Sequence, residues 1–190
     1  KYNIPYFVDK QEKLDKHPLT SFLISMLNCY KRNFASDEFL MLFKNFFSGI
    51  DYLSQNELEN YILKYGINYD RFKKPFVYGK VDYKKKKIES YEPIENTRKV
   101  IVDKLLKVYE YFDRSKKCKD YIKGCLTFFD LFNIDEMLNV FMERLSATKQ
   151  FVMLELSKQV KDKIITLLEE VDKILGEEVV PFDEFYSLII

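Results

Sequence analysis

Apolar residues return every three or four positions through most of this chain, and that spacing restricts it to a fold built from helices. The first stripe is Leu19, Phe22, Leu23, Met26, Leu27 and Tyr30. Phe39, Leu42, Phe43, Phe46 and Phe47 form a second, widened by Leu40 and Met41, and Leu58, Tyr61, Ile62 and Tyr65 a third. From near Glu95 the pattern resumes with Ile101, Val102, Leu105, Leu106, Tyr109 and Phe112. It continues through Cys118, Tyr121, Ile122, Cys125, Leu126, Phe129 and Phe132, then Leu138, Phe141, Met142 and Leu145. A seam of Met153, Ser157, Val160, Ile164, Leu167, Val171 and Ile174 predicts the longest helix, over 147–175. Phe185, Leu188 and Ile189 mark a last one. With only five glycines and five prolines in 190 residues, the chain lacks the turns of an all-β fold.

Helix punctuation agrees with the stripes. Pro18 suits a first turn opened by His17. Ser36 is expected to cap the second helix, with Asp37 and Glu38 facing its positive end. Ser54-Gln55-Asn56-Glu57 reads as a capping box, Ser115 and Asp135 as later caps, and Pro181 as a restart. Gly49, Gly66 and Gly176 fall where helices should stop, whereas Gly124 interrupts a stripe.

The N-terminus departs from this pattern. Tyr2, Ile4, Tyr6 and Val8 alternate with Asn3, Pro5, Phe7 and Asp9 as in a short strand, and Pro5 places it at a sheet edge. A lone strand leaves its backbone groups unpaired. Together with Lys1 in place of an initiator methionine, this predicts a piece of a longer protein. The expected fold is all-α, a multi-helix bundle forming one helical domain over 1–190. It carries a short N-terminal strand and a long basic loop over 68–94, where Val77, Val81 and Tyr83 allow a small hairpin.

The net charge of +1 gives no global signal for nucleic acid, so any basic surface must be local. One such segment stands out. Between Asp70 and Lys87, the cations Arg71, Lys73, Lys74, Lys80, Lys84, Lys85, Lys86 and Lys87 face only Asp70 and Asp82, a local charge of +6 that leaves −5 on the remainder. Phe72, Phe76, Tyr78 and Tyr83 lie among them, as a phosphate-tracking and base-stacking surface would require. The plainer alternative is a solvated, lysine-rich loop. Lys116, Lys117 and Lys119 form a second cluster at a helix start, where the dipole disfavours cations, which points to an anionic partner.

Catalytic chemistry is not signalled. The glycines are scattered singly rather than clustered to cradle phosphate. His17 is the only histidine and reads as a capping residue, and Cys29, Cys118 and Cys125 read as free thiols of a cytoplasmic protein. No glutamate stands two residues before a lysine, as in metal-dependent nucleases, and no apolar run reaches the length of a membrane span.

Ile4-Pro5-Tyr6-Phe7-Val8-Asp9 followed by His17-Pro18-Leu19 resembles the B subunit of the AddAB (RexAB) helicase–nucleases of low-GC Gram-positive bacteria, kin of the UvrD-like superfamily 1 helicases. Ser36-Asp37-Glu38-Phe39, Glu59-Asn60-Tyr61 before Lys64-Tyr65-Gly66, and Leu168-Glu169-Glu170-Val171-Asp172 are similar to stretches of the same proteins. The resemblance implies a non-catalytic helical insertion in a polypeptide that binds duplex DNA ends beside an A subunit, in double-strand-break processing and recombinational repair. It also implies ATP, magnesium and an iron–sulfur cluster in the parent protein. The motifs for these have no counterpart here, so none is carried onto a residue of this chain. The alternative is a helical protein–protein interaction module; an enzyme with an unfamiliar site is a third option.

Overall fold

The computed structural model describes residues 14–77, 81–82, 87–88, 92–114 and 117–190. Eight α-helices make up most of it: α1 Pro18–Lys31, α2 Ser36–Phe43, α3 Tyr52–Tyr65, α4 Glu92–Arg114, α5 Cys118–Leu131, α6 Ile134–Ala147, α7 Phe151–Leu175 and α8 Phe182–Ile189. The all-α class is as the spacing predicts. Two short strands, β1 Val81–Asp82 and β2 Lys87–Ile88, pair antiparallel, so the hairpin allowed within the basic stretch is present. The expected N-terminal strand lies outside the described residues.

Helix α1 is the axis of the bundle. Its stripe of Leu19, Phe22, Leu23, Met26 and Leu27 is buried, and Ser25 and Cys29 beside it are buried too, a wider arc than one stripe covers. It packs against α2, α7 and α8, and the Tyr109 hydroxyl of α4 donates to the Met26 carbonyl at 3.0 Å. Buried apolar residues from all eight helices join in one core cluster. Rings dominate it, with Phe22 touching Phe128 and Phe132 at 4.7 and 5.1 Å between centroids.

Several local expectations are corrected. The second helix ends at Phe43, and Phe46–Ser48 form a separate 3-10 turn capped by Asn45. Its N-cap is Ala35, which has no side-chain acceptor; Asn68 Oδ1 instead accepts from the Ser36 N–H at 2.8 Å. Asp51 rather than Ser54 caps α3, accepting from the Ser54 N–H and hydroxyl. Asn133, in a left-handed conformation, precedes α6 in place of the expected cap Asp135, and Lys117 occupies the N-cap of α5. Ala147 ends α6 instead of opening the long helix, which begins at Phe151. Met41, Leu126, Leu167, Ile174 and Leu188 are exposed, while Val108, Phe128 and Leu168 are buried in the core.

Gly124 proves to be a packing residue. A Cβ built there would lie 2.9 Å from Phe112 Cδ1, inside van der Waals contact. Phe112 cannot yield, being enclosed by Tyr30, Tyr109, Tyr121 and Phe182. The missing side chain therefore sets the close approach of α4 and α5. Gly124→Ala should destabilise the chain by about 1–2 kcal/mol, because overpacking outweighs alanine's helix advantage of roughly 1 kcal/mol. Urea unfolding checks this; a more stable variant would mean that the two helices can part freely.

Candidate nucleic-acid interface

The basic segment leaves the bundle through a 3-10 turn, Tyr69–Lys73, and a short extended strap ending at Val77. Phe72 and Phe76 anchor that strap. Phe72 is fully buried against Phe39, with centroids 4.3 Å apart, and Phe76 stacks on Tyr61 at 4.5 Å and 16°. Both rings belong to the core, so neither offers a face to a nucleic-acid base as expected. Burial of a phenyl ring outweighs what a solvent-facing stack would gain. Tyr78 and Tyr83 lie outside the described residues.

Three of the predicted cations are placed by the strap. Arg71, just before the buried Phe72, and Lys73 and Lys74, between Phe72 and Phe76, are exposed. Lys73 Nζ donates to Asp70 Oδ1 at 2.9 Å and to Asn33 Oδ1 at 3.0 Å, and its hydrogen bond holds the Asp70 carboxyl below the usual carboxylate range. The backbone of Lys87 lies opposite that of Asp82 in the β-ladder, and Lys80, Lys84, Lys85 and Lys86 lie outside the described residues.

A buried ion pair sits behind the strap. Arg98 is 3% exposed; its Nε and Nη2 donate to Glu95 Oε2 and Oε1 at 2.9 and 2.5 Å. Its Nη1 donates to the Phe72 carbonyl at 2.7 Å, and Glu95 Oε2 accepts from the Phe76 N–H at 3.0 Å. Burial alone would push the Glu95 carboxyl up, but the bonds from Arg98 and Phe76 prevail and hold it below its ordinary value.

The second lysine cluster has its anion inside the chain. Lys117 and Lys119 reach Glu177 at 3.0 and 2.5 Å and hold its carboxyl down to about 2. The first N–H groups of α5 are satisfied by carbonyls of the α7–α8 turn, Cys118 by Glu178 and Lys119 by Gly176. Glu177 thus offsets the unfavourable dipole placement of Lys117 and Lys119. Lys116 lies outside the described residues.

His17 is buried as the cap of α1. Its Nδ1 accepts from the Leu19 N–H at 3.0 Å, and its Nε2 lies 3.0 Å from Ser157 Oγ, whose hydroxyl donates to the Met153 carbonyl. That geometry requires the neutral imidazole with its proton on Nε2, and burial lowers the pKa to about 4. The three cysteines are free and buried, and burial pushes the Cys125 thiol well up. Among the described residues, no group of three or more His, Cys, Asp and Glu could hold a metal ion, and no helix is long and apolar enough to cross a membrane.

A different surface also has the form of a site. Phe46, Ile50, Tyr52, Met137, Val140 and Arg144 line an open groove of about 670 Å³ between the α2–α3 connection and α6. Arg144 lies over the Phe46 ring at 4.9 Å, and Tyr52 is 78% exposed at the rim.

No protein-family model matches the chain. Curated proteins do, over 99% of its length: a protein of Alkaliphilus metalliredigens at 26% identity, one of Alkaliphilus oremlandii at 26% and one of Caldanaerobacter subterraneus subsp. tengcongensis at 26%. All three carry the same name. The chain is similar along its length to the B subunit of ATP-dependent helicase/deoxyribonuclease. It spans only 17% of the length of those relatives. The resemblance carried by Ile4-Pro5-Tyr6 and the helical motifs is therefore matched by relatives covering nearly the whole chain.

Glu95 and Arg98 are functional candidates that the sequence does not flag. Their signal is an i,i+3 acid–base pair near a helix start, which ordinarily marks an exposed and weak contact. Only the tertiary contact with Phe72 and Phe76 buries it.

Proposed function

We propose that this chain is a non-catalytic helical insertion of a helicase/deoxyribonuclease of this kind, one helical domain serving double-strand-break processing and recombinational DNA repair in the cytoplasm. The observation that carries the reading is the match to helicase/deoxyribonuclease relatives over 99% of the chain. In this reading the chain shapes the path of a duplex DNA end and meets the neighbouring parts of its own polypeptide or the A-type partner. The stretch 68–94 supplies the anionic contact, through Arg71, Lys73, Lys74, Lys80 and Lys84 to Lys87. ATP, magnesium and an iron–sulfur cluster would belong elsewhere in such a protein. In support, the glycines of this chain stand singly, and among the described residues no group of three or more His, Cys, Asp and Glu could hold a metal ion.

Salt-dependent DNA binding tests the basic stretch. Changing Lys84, Lys85, Lys86 and Lys87 to alanine should weaken duplex binding and reduce the slope of log K against log salt by roughly 0.9 for each phosphate no longer neutralised. Absence of salt-sensitive binding by the unmodified chain would remove the basic stretch from the interface.

The groove beside Arg144 favours a second reading, a protein-interaction module. An aromatic-stacked guanidinium and an exposed tyrosine are residue types that dominate protein interfaces. Weaker association with the A-type partner in Tyr52→Ala and Arg144→Ala, with DNA binding intact, would support it.

A further inference from the structure

Residues 72–76 and 95–98 form the two sides of a neck: the chain leaves toward the basic stretch at Val77 and returns at Glu92, the start of α4. Contacts across this neck come from Glu95 and Arg98. Arg98 binds the Phe72 carbonyl, and its guanidinium carbon lies 5.6 Å from the centre of the Phe76 ring. Glu95 takes the Phe76 N–H, 19 residues earlier in the chain. The two side chains also bind each other through a forked pair. With the guanidinium buried and the carboxylate only 18% exposed, that forked pair has a fixed geometry, unlike the exposed Lys73–Asp70 pair on the outer side of the strap.

We propose that Glu95 and Arg98 are positioning residues, a clasp that fixes where the 68–94 stretch leaves the bundle and so holds Arg71, Lys73 and Lys74 in place for an anionic backbone. The proposal rests on the reading of that stretch as a DNA contact. Neither side chain touches the nucleic acid; both act through the backbone of the strap. Opening the neck frees the exit of the stretch, and the cations must then be ordered at the moment of binding. Such ordering lowers affinity without changing how many phosphates are neutralised.

The test is duplex-DNA affinity of the chain over a range of salt, for the unmodified protein and for Glu95→Gln and Arg98→Lys. Binding is measured at a temperature where circular dichroism shows each variant folded. The expected result is an affinity loss of about fivefold in both variants with an unchanged salt slope. Faster amide exchange at Phe76 should accompany it. The double variant Glu95→Leu with Arg98→Met, which replaces the buried pair by apolar volume, should still bind weakly even where it recovers stability. Equal affinity of folded variants and unmodified chain would overturn the clasp. So would a fall in slope matching the loss of affinity, because it would place Arg98 on the phosphates themselves. If the unmodified chain binds no DNA, the underlying reading fails instead, a result distinct from either.

Discussion

Arg98→Met should lower the free energy of unfolding by about 3 kcal/mol, the range seen when one member of a buried pair is removed. Methionine fills much of the space but donates no hydrogen bond. The substitution strands the Glu95 carboxylate and leaves the Phe72 carbonyl without its guanidinium donor. Glu95 retains some contact with water, its side chain being 18% exposed, which keeps the effect from the upper end of that range. Replacing Glu95 by leucine in the same molecule should recover part of the loss, since a buried pair is often no more stable than well-packed apolar residues. Urea unfolding of the three proteins measures both effects. A single-variant change below about 1 kcal/mol would show that the pair behaves as a surface contact.

Acid should destabilise the chain through His17, by up to about 3 kcal/mol, the equivalent of lowering a histidine pKa from its ordinary 6.5 to about 4. Well above pH 7 the imidazole is neutral in both folded and unfolded chains and adds no pH dependence. As pH falls through 6.5 the unfolded chain takes up a proton that the folded chain still refuses, so stability declines until the folded site also protonates near pH 4. The cause is geometric. Protonated Nδ1 would face the Leu19 N–H, donor against donor, within a site also closed by Phe141 and Phe47. His17→Asn keeps a capping acceptor and removes the titration. Its stability should therefore change less between pH 7 and pH 4.5 than that of the unmodified chain. Identical pH profiles would place the acid sensitivity elsewhere.

The seam of α7 shows where sequence pattern and structure part. A strict alternation of three and four keeps Leu167 and Ile174 in line, yet both are exposed and Leu168 is buried in their place. An α-helix turns once in 3.6 residues, so a 3.5-residue seam drifts by about 20° per heptad unless the helix supercoils. Here the buried line runs through Ser157, Val160, Ile164, Leu168 and Val171, following the straight helix. The helix caps differ from expectation for a related reason. Ser36 and Ser54 are good caps by type, but their own N–H groups are held by Asn68, 32 residues away, and by Asp51, so both serines lie inside the first turn rather than before it.

The candidate interface was legible in charge and not in geometry. Eight cations over a short stretch are visible in the sequence, and so is their interleaving with aromatic rings. That Phe72 and Phe76 turn inward while Arg71, Lys73 and Lys74 turn out follows from a 3-10 turn packed against α2, α3 and α4, which no local pattern specifies.

Spacing and short motifs along the chain were enough for the helical class, the faces buried by most helices, the stops at Gly66 and Gly176 and the helicase–nuclease resemblance. Only packing could establish that Gly124 admits Phe112, that Glu177 answers Lys117 and Lys119, and that Glu95 and Arg98 close the neck of the basic stretch. These partners are 12 to 60 residues apart or gain their meaning only from burial, and burial is a property of the packed chain rather than of any segment.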